Sequence, residues 1–365
     1  MPLTYSQVGD DYDRKDPVKK YAQTAAAQTG ANLLQHNMRE VSASRGESAY
    51  VWKQGNIYMA SVVEGLGTKN IVADEMRKIT GKTYYNIIGY ETVATIINDL
   101  ITVGAKPLVT HAYWAVGSND WLQDGERLKD LINGWKEGCM AAGTSWGGGE
   151  TPTLQNIVSP DHIDLGGSSI GIITHEKRLI TDEKLCAGDK IILLKSTGIN
   201  ANGISLARAV ANKMPEGYAT RLPSGVYYGE AVLNKTNIYA KLLQSIFDAG
   251  VDIHYISNIT GHGLRKIMRA KGGFTYIIEK IYEPPEVFDT IQKYAELSDE
   301  EMYGTYNMGM DFALFISPKD AERTLETIKK TGFEAKDAGY IKEGERKVIL
   351  QPKNIIFNAE TLNLR

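Results

Sequence analysis

Short apolar or alternating runs at Asn56–Val63, Leu108–Val116 and Ile163–Thr174 have the spacing of β-strands. Between them, apolar positions recur at helical spacing over Tyr84–Val103 and Asp124–Ala142, so this half of the chain is expected to form a mixed α/β unit. The polar stretch His175–Lys184 has no clean apolar period, and a second series of elements follows it, which puts a domain boundary near residue 175. Beyond it, strands are expected at Lys190–Lys195, Phe274–Ile278, Asp311–Ser317 and Lys347–Leu350. Helices are expected at Ile204–Asn212, Glu230–Ala249, Pro285–Ala295 and Lys319–Thr331. The fold class is therefore α/β (α+β), with one domain over residues 1–175 and a second over 176–365.

Composition narrows the class of partner. The 365 residues are 42% hydrophobic and 23% charged, enough for a full core in about two domains at about 150 residues each. No run approaches the about 18 apolar residues of a membrane span, and the first residues lack a basic start followed by an apolar core. A cytoplasmic protein with no membrane partner is expected. A formal net charge of −3 supplies no broad basic field, which argues against nucleic acid and for a small molecule. Cys139 and Cys186 have neither CxxC spacing nor a neighbouring histidine, so both are expected to be ordinary core thiols.

Candidate chemistry begins with Asp99, which lies with Asn98 in the otherwise apolar run Ile96–Ala105. A carboxylate there needs a cation, a hydrogen-bonded cage or a proton. Glu64 and Glu150 each sit beside glycines at the end of an apolar stretch, and three such carboxylates suit a hard cation such as Mg²⁺ bridging to phosphates. The alternatives are a buried salt bridge for Asp99 and solvated loops for the two glutamates. Glycines cluster at Gly65–Gly67, Gly147–Gly149, Gly198–Gly203 and Gly261–Gly263, where an anion could approach backbone amides. Gly203 and Gly263 stand just before expected helices, whose N-termini favour phosphate, although simple turns would use glycine equally well. Neither GxxxxGK[ST] nor GxGxxG occurs.

Taken in order, Tyr5–Asp11, Glu64–Lys69, Asn98–Leu100, Gly104–Pro107, Gly148–Thr151, Ser196–Gly198, Asn202–Leu206, Ile259–Gly263 and Glu301–Gly309 resemble the pattern of the aminoimidazole ribonucleotide synthetase (phosphoribosylformylglycinamidine cyclo-ligase) family. That family lies in an ATP-dependent superfamily with selenophosphate synthetase, thiamine-phosphate kinase and a hydrogenase maturation factor. The resemblance implies an N-terminal domain that binds ATP and metal and pairs with its copy into a homodimer barrel. It also implies a C-terminal, sandwich-like domain that binds the ribonucleotide. The implied reaction is ATP-dependent closure of formylglycinamidine ribonucleotide to aminoimidazole ribonucleotide. Rival readings are another phosphotransferase of the superfamily, or a nucleotide-binding regulator without catalysis.

By resemblance, Glu64, Asp99 and Glu150 would hold Mg²⁺, and Lys69 would act with Asp99 on the transferring phosphate. Gly65, Gly67, Thr68, Asn98, Gly148 and Gly149 would contact ATP. Asn200, Asn202, Gly203, Thr260, Gly261, His262, Gly263 and Asn307 would contact the ribonucleotide. The chain departs from the family pattern in several places. Glu64 stands where Asp is common, Asn200 replaces a histidine, Asp311 replaces a glycine, and Arg39–Gly46 replaces a glycine-rich loop. An asparagine can hydrogen-bond but cannot exchange a proton near neutral pH.

Overall fold

The computed structural model describes residues 3, 8 and 12–362; apart from Val8, the motif segment Tyr5–Asp11 lies outside the described residues. After helix α1 (Tyr12–Ala27), six strands form the first sheet: β1 (Met38–Glu40), β2 (Tyr50–Gln54), β3 (Ile57–Gly65), β4 (Lys106–Val116), β5 (Ser145–Glu150) and β6 (Ile163–Ile173). Their order is β1-β2-β3-β6-β4-β5, antiparallel except for β4 against β5. Burial alternates along β3, with Tyr58, Ala60 and Val62 enclosed while Ile57 and Val63 face outward, as a half-covered sheet requires. Helices α2 (Lys69–Thr80), α3 (Tyr85–Leu100) and α4 (Gly125–Ala142) accompany this sheet. α3 crosses α4 at two glycines; a Cβ on Gly89 would stand 2.4 Å from the Leu131 carbonyl, and one on Gly134 would stand 2.0 Å from that of Asn86.

The second sheet contains β7 (Lys190–Lys195), β8 (Ile253–Asn258), β9 (Phe274–Ile278), β10 (Met310–Ile316), β11 (Ala335–Glu343), β12 (Lys347–Leu350) and β13 (Ile355–Asn358), in the order β13-β12-β9-β11-β7-β10-β8. Helices α5 (Ile204–Ala211), α6 (Tyr228–Val232), α7 (Ala240–Asp248), α8 (Glu286–Ala295), α9 (Asp299–Thr305) and α10 (Ala321–Lys330) complete this half. Among the described residues, no helix is long and apolar enough to cross a membrane.

The single helix expected over Glu230–Ala249 is broken between Val232 and Ala240. The backbone between them is used elsewhere, because the Asn234 and Asn237 carbonyls and the Thr236 N–H bond to side chains of the first domain. Strand β11 escapes a pattern search for a different reason: Ala-Lys-Asp-Ala-Gly-Tyr-Ile-Lys-Glu has little apolar alternation, yet it lies between β9 and β7. The expectation of two core thiols also needs correction, since Cys139 is buried but Cys186 is exposed.

Candidate functional site

Where β3 ends, its last side chains meet α3 and the start of the second sheet. Glu64 shares the covered face of β3 with Ala60 and Val62, and Asp99 comes from the end of α3. Both carboxyl groups line the same cavity. Glu64 is pushed up to about 8, first by burial and then by the neighbouring Asp99. Asn258, at the end of β8, donates its Nδ2–H to Asp99 Oδ1 at 2.7 Å.

These acids open into a cleft of about 390 Å³ between the two domains. Gly65 and the Gly46–Ser48 segment line it from the first domain; Asn202, Thr260, Gly261 and His262 line it from the second. Cations face the acids. Lys15 and Lys19 of α1, together with Lys266 and Arg269, reach the same space. Burial and the neighbouring Arg269 hold the Lys266 ammonium down to about 8, and its Nζ donates to Thr260 Oγ1 at 3.0 Å. Arg269 anchors the opposite wall, donating to the Gly46 carbonyl at 2.7 Å and to Ser48 Oγ at 2.9 Å. His262 has a positive φ of 69° and is buried. Desolvation, then Lys266, Arg265 and Lys19, hold its imidazole far below the usual range, so its 3.3 Å contact with Asp16 joins a neutral ring to a carboxylate.

Several residues expected at the site lie elsewhere. Lys69 is fully enclosed beside Glu91, with 3.3 Å between charged atoms, and donates to the carbonyls of Asn200 at 3.0 Å and Asn234 at 2.7 Å. An ammonium has three N–H groups and all three are used, so none remains for a phosphate. Asn98 is also committed: Nδ2 donates to the Asn237 carbonyl at 2.7 Å and Oδ1 accepts from the Tyr239 N–H at 3.1 Å. Asn200 has φ +59° and donates to Asp311 Oδ2 at 3.0 Å, while Tyr239 Oη donates to Asp311 Oδ1 at 2.7 Å. The side chains at positions 200 and 311 therefore touch. Burial pushes the Asp311 carboxyl up to about 6.

Glu150 does not join the other acids. Strand register aligns Glu64 with Gly167, Ala112 and Gly149, and aligns Glu150 with Tyr113, Gly166 and Gly65. Paired residues share a face and successive residues alternate, so Glu150 is on the opposite face from Glu64 and three strands away. Gly148 and Gly149 go with it on edge strand β5, and a Cβ on Gly149 would stand 2.1 Å from the Ala112 carbonyl.

Other expected ligand contacts have packing explanations. A Cβ on Gly203 would stand 2.0 Å from the Tyr306 ring, and one on Gly263 would stand 2.3 Å from the Tyr303 carbonyl. Asn307 donates to the Gly198 carbonyl at 2.9 Å and accepts from the Gly309 N–H, holding a turn. Gly67 is exposed with φ +75°, and Thr68 Oγ1 is buried without a partner at the start of α2. Sequence reasoning missed Lys266, Arg269 and Asn258. The only advance signal was the position of the two cations three residues apart after the Gly261–Gly263 turn.

Comparison with known proteins agrees with this two-part construction. Residues 46–173 match the AIR synthase related protein, N-terminal domain, and residues 187–351 match the corresponding C-terminal domain. A phosphoribosylformylglycinamidine cyclo-ligase from Methanobrevibacter smithii is 31% identical over 90% of this chain and 91% of its own. Its counterpart from Caldanaerobacter subterraneus is 35% identical over 81% of this chain and 85% of its own. In fold, the chain resembles a crystal structure of the HypE-HypF complex, with a TM-score of 0.61 at 17% identity over 86% of this chain and 92% of that one. The chain belongs to the phosphoribosylformylglycinamidine cyclo-ligase family of AIR synthase related proteins.

Proposed function

We propose that the cleft between the two domains carries out the family reaction, ATP-dependent closure of formylglycinamidine ribonucleotide to aminoimidazole ribonucleotide in purine synthesis. The observation that carries this reading is the Glu64–Asp99 carboxyl pair facing Lys266 and Arg269 in one cavity. An amide oxygen is a poor leaving group until it is phosphorylated. Transfer of the ATP γ-phosphoryl group to the formyl oxygen solves that problem. The amidine nitrogen then attacks the activated carbon and loses a proton as the C–N bond closes and the C–O bond breaks to release phosphate. Such a transfer needs positioning and cancellation of charge.

Two hard carboxyl groups lining one cavity, with Glu64 pushed up by burial and by Asp99, fit a divalent cation, which would take the place of the Glu64 proton. Glu64 and Asp99 would hold Mg²⁺, and the ion would supply neutralisation of the phosphate oxygens. Lys15, Lys19, Lys266 and Arg269 place positive charge around the phosphates. Asn202, Thr260, Gly261 and His262 form the wall available to the ribonucleotide. We also assign homodimer pairing to the outward face of the first sheet, where Val63 is 78% exposed and Tyr113 is 38% exposed. A cytoplasmic location accompanies this assignment.

The test is to incubate the protein with ATP, Mg²⁺ and formylglycinamidine ribonucleotide. ADP, free phosphate and aminoimidazole ribonucleotide in equal amounts are expected. Phosphate retained on the product would identify a kinase instead, and bound nucleotide without turnover would identify a regulator.

A further inference from the structure

Far from the carboxylate pair in sequence, the topology brings three different metal-binding side chains together. Ile316, at the end of β10, pairs with Lys190 on one side and Ile253 on the other. The turn before β7, with Cys186 and Asp189, therefore lies at the same end of the sheet as His254 on β8. His254 Nδ1 is 2.7 Å from Asp189 Oδ2, and Cys186 Sγ is 3.3 Å from Asp189 Oδ1 and 3.8 Å from His254 Nδ1. One ligand atom from each residue lies within 4.8 Å of the others.

We propose that Cys186, Asp189 and His254 form a second metal site that binds Zn²⁺, with water as the fourth ligand. Zinc bonds of about 2.3 Å to sulfur and about 2.0 Å to nitrogen, at a tetrahedral angle, separate those two atoms by about 3.6 Å. The observed 3.8 Å is already close to that edge. The nitrogen and carboxylate oxygen, now 2.7 Å apart, need to open by about half an ångström. Thiolate, imidazole and carboxylate together favour zinc over the all-oxygen preference of Mg²⁺. Asp189 is buried and oriented by the Cys186 N–H at 3.1 Å, while the exposed Cys186 leaves an entry route and room for water. On binding, the thiol proton passes to solvent.

Cobalt is a direct probe, added alone to the reduced full-length chain. Stoichiometric Co²⁺ should produce thiolate-to-cobalt charge-transfer absorption with the visible bands of a four-coordinate ion, and Zn²⁺ should abolish both. Cys186→Ala should remove the sulfur band and weaken Zn²⁺ binding at least about 100-fold, while Cys139→Ala should keep both. Because Cys186 is exposed, its replacement should leave the unfolding midpoint unchanged, which a thermal melt checks. Absence of the sulfur band, or its survival in Cys186→Ala, overturns the site. Cobalt bound only to oxygen ligands at Glu64 and Asp99 also counts against it.

Discussion

Two polar clusters lie along the seam between the domains and differ in how their hydrogen bonds close. Around Lys69, donors and acceptors answer one another: Glu91 takes the charge and accepts from the Thr236 N–H and hydroxyl, Asn200 and Asn234 offer carbonyls to the ammonium, and Asn98 and the Asp311–Tyr239 pair extend the clamp. Around Glu64 the cavity is lined by three acids, Glu47, Glu64 and Asp99; Glu47 pairs with Arg269 at 3.7 Å, and Lys15, Lys19 and Lys266 line the same open space. A closed buried network specifies how two domains dock, whereas like charges crowded beside a cavity store unfavourable energy that a ligand can relieve. Asn98 and Asp99 are adjacent on α3 yet belong to different clusters.

The largest expected effect tests the closed cluster. Lys69→Met leaves Glu91 charged and buried without its cation, and should lower stability by about 3–5 kcal/mol in urea unfolding. Lys69→Met/Glu91→Gln should recover part of that loss because the uncompensated charge is gone. If Lys69→Met were instead as stable as the parent but inactive, the clamp reading would be wrong and the lysine would belong to the chemistry.

The open cluster predicts the opposite sign. Asp99→Asn keeps an oxygen for Asn258 and removes the repulsion on Glu64, so the urea midpoint should hold or rise. Ring-closing kcat should nevertheless fall about 10²–10³-fold, about 3–4 kcal/mol of transition-state stabilisation. A variant that loses stability and activity together would erase the contrast between the clusters.

A third measurement concerns pH. Asp311 carries an ordinary value of 3.8 when unfolded and about 6 when folded, so the folded chain holds this proton more tightly. Its stabilising contribution is complete below pH of about 4 and is lost as pH rises through about 6, a loss of at most about 3 kcal/mol. Asp311→Asn has no carboxyl group to titrate, so the urea midpoint should lose this part of its decline between those pH values. An unchanged slope would remove Asp311 as its source.

Much of this contrast is invisible in one dimension. Strands such as Lys190–Lys195 and Phe274–Ile278 were legible to the residue because buried strands write continuous apolar runs. The carboxylates at 64 and 99 were legible because charge beside apolar residues is costly. What separates Asp99 from Asn98, or Cys186 from an ordinary thiol, is a partner far along the chain: Asn258, Asn237 and His254 respectively. Local patterns cannot name those partners. The glycine clusters divide for a related reason: Gly203 and Gly263 make room for the Tyr306 ring and the Tyr303 backbone, whereas Gly65 and Gly261 line the cleft, and spacing alone does not tell the two uses apart.

The smallest expected effect falls on Glu150. Its carboxylate is exposed, accepts the Thr151 N–H at 3.0 Å, and lies on the sheet face opposite Glu64. Glu150→Gln keeps that acceptor and removes one solvated charge, so stability should change by less than about 0.5 kcal/mol. With the cleft built as proposed, kcat and KM should stay within about twofold across a Mg²⁺ titration. A loss as large as that of Asp99→Asn would require the outward face of the sheet to take part in catalysis. Because that same face carries Val63 and Tyr113, the cause could be separated by measuring the dimer fraction of Glu150→Gln by light scattering. An intact dimer with lost activity would move Glu150 into the reaction, and the division between an open catalytic cluster and a closed structural one would have to be redrawn around three acids.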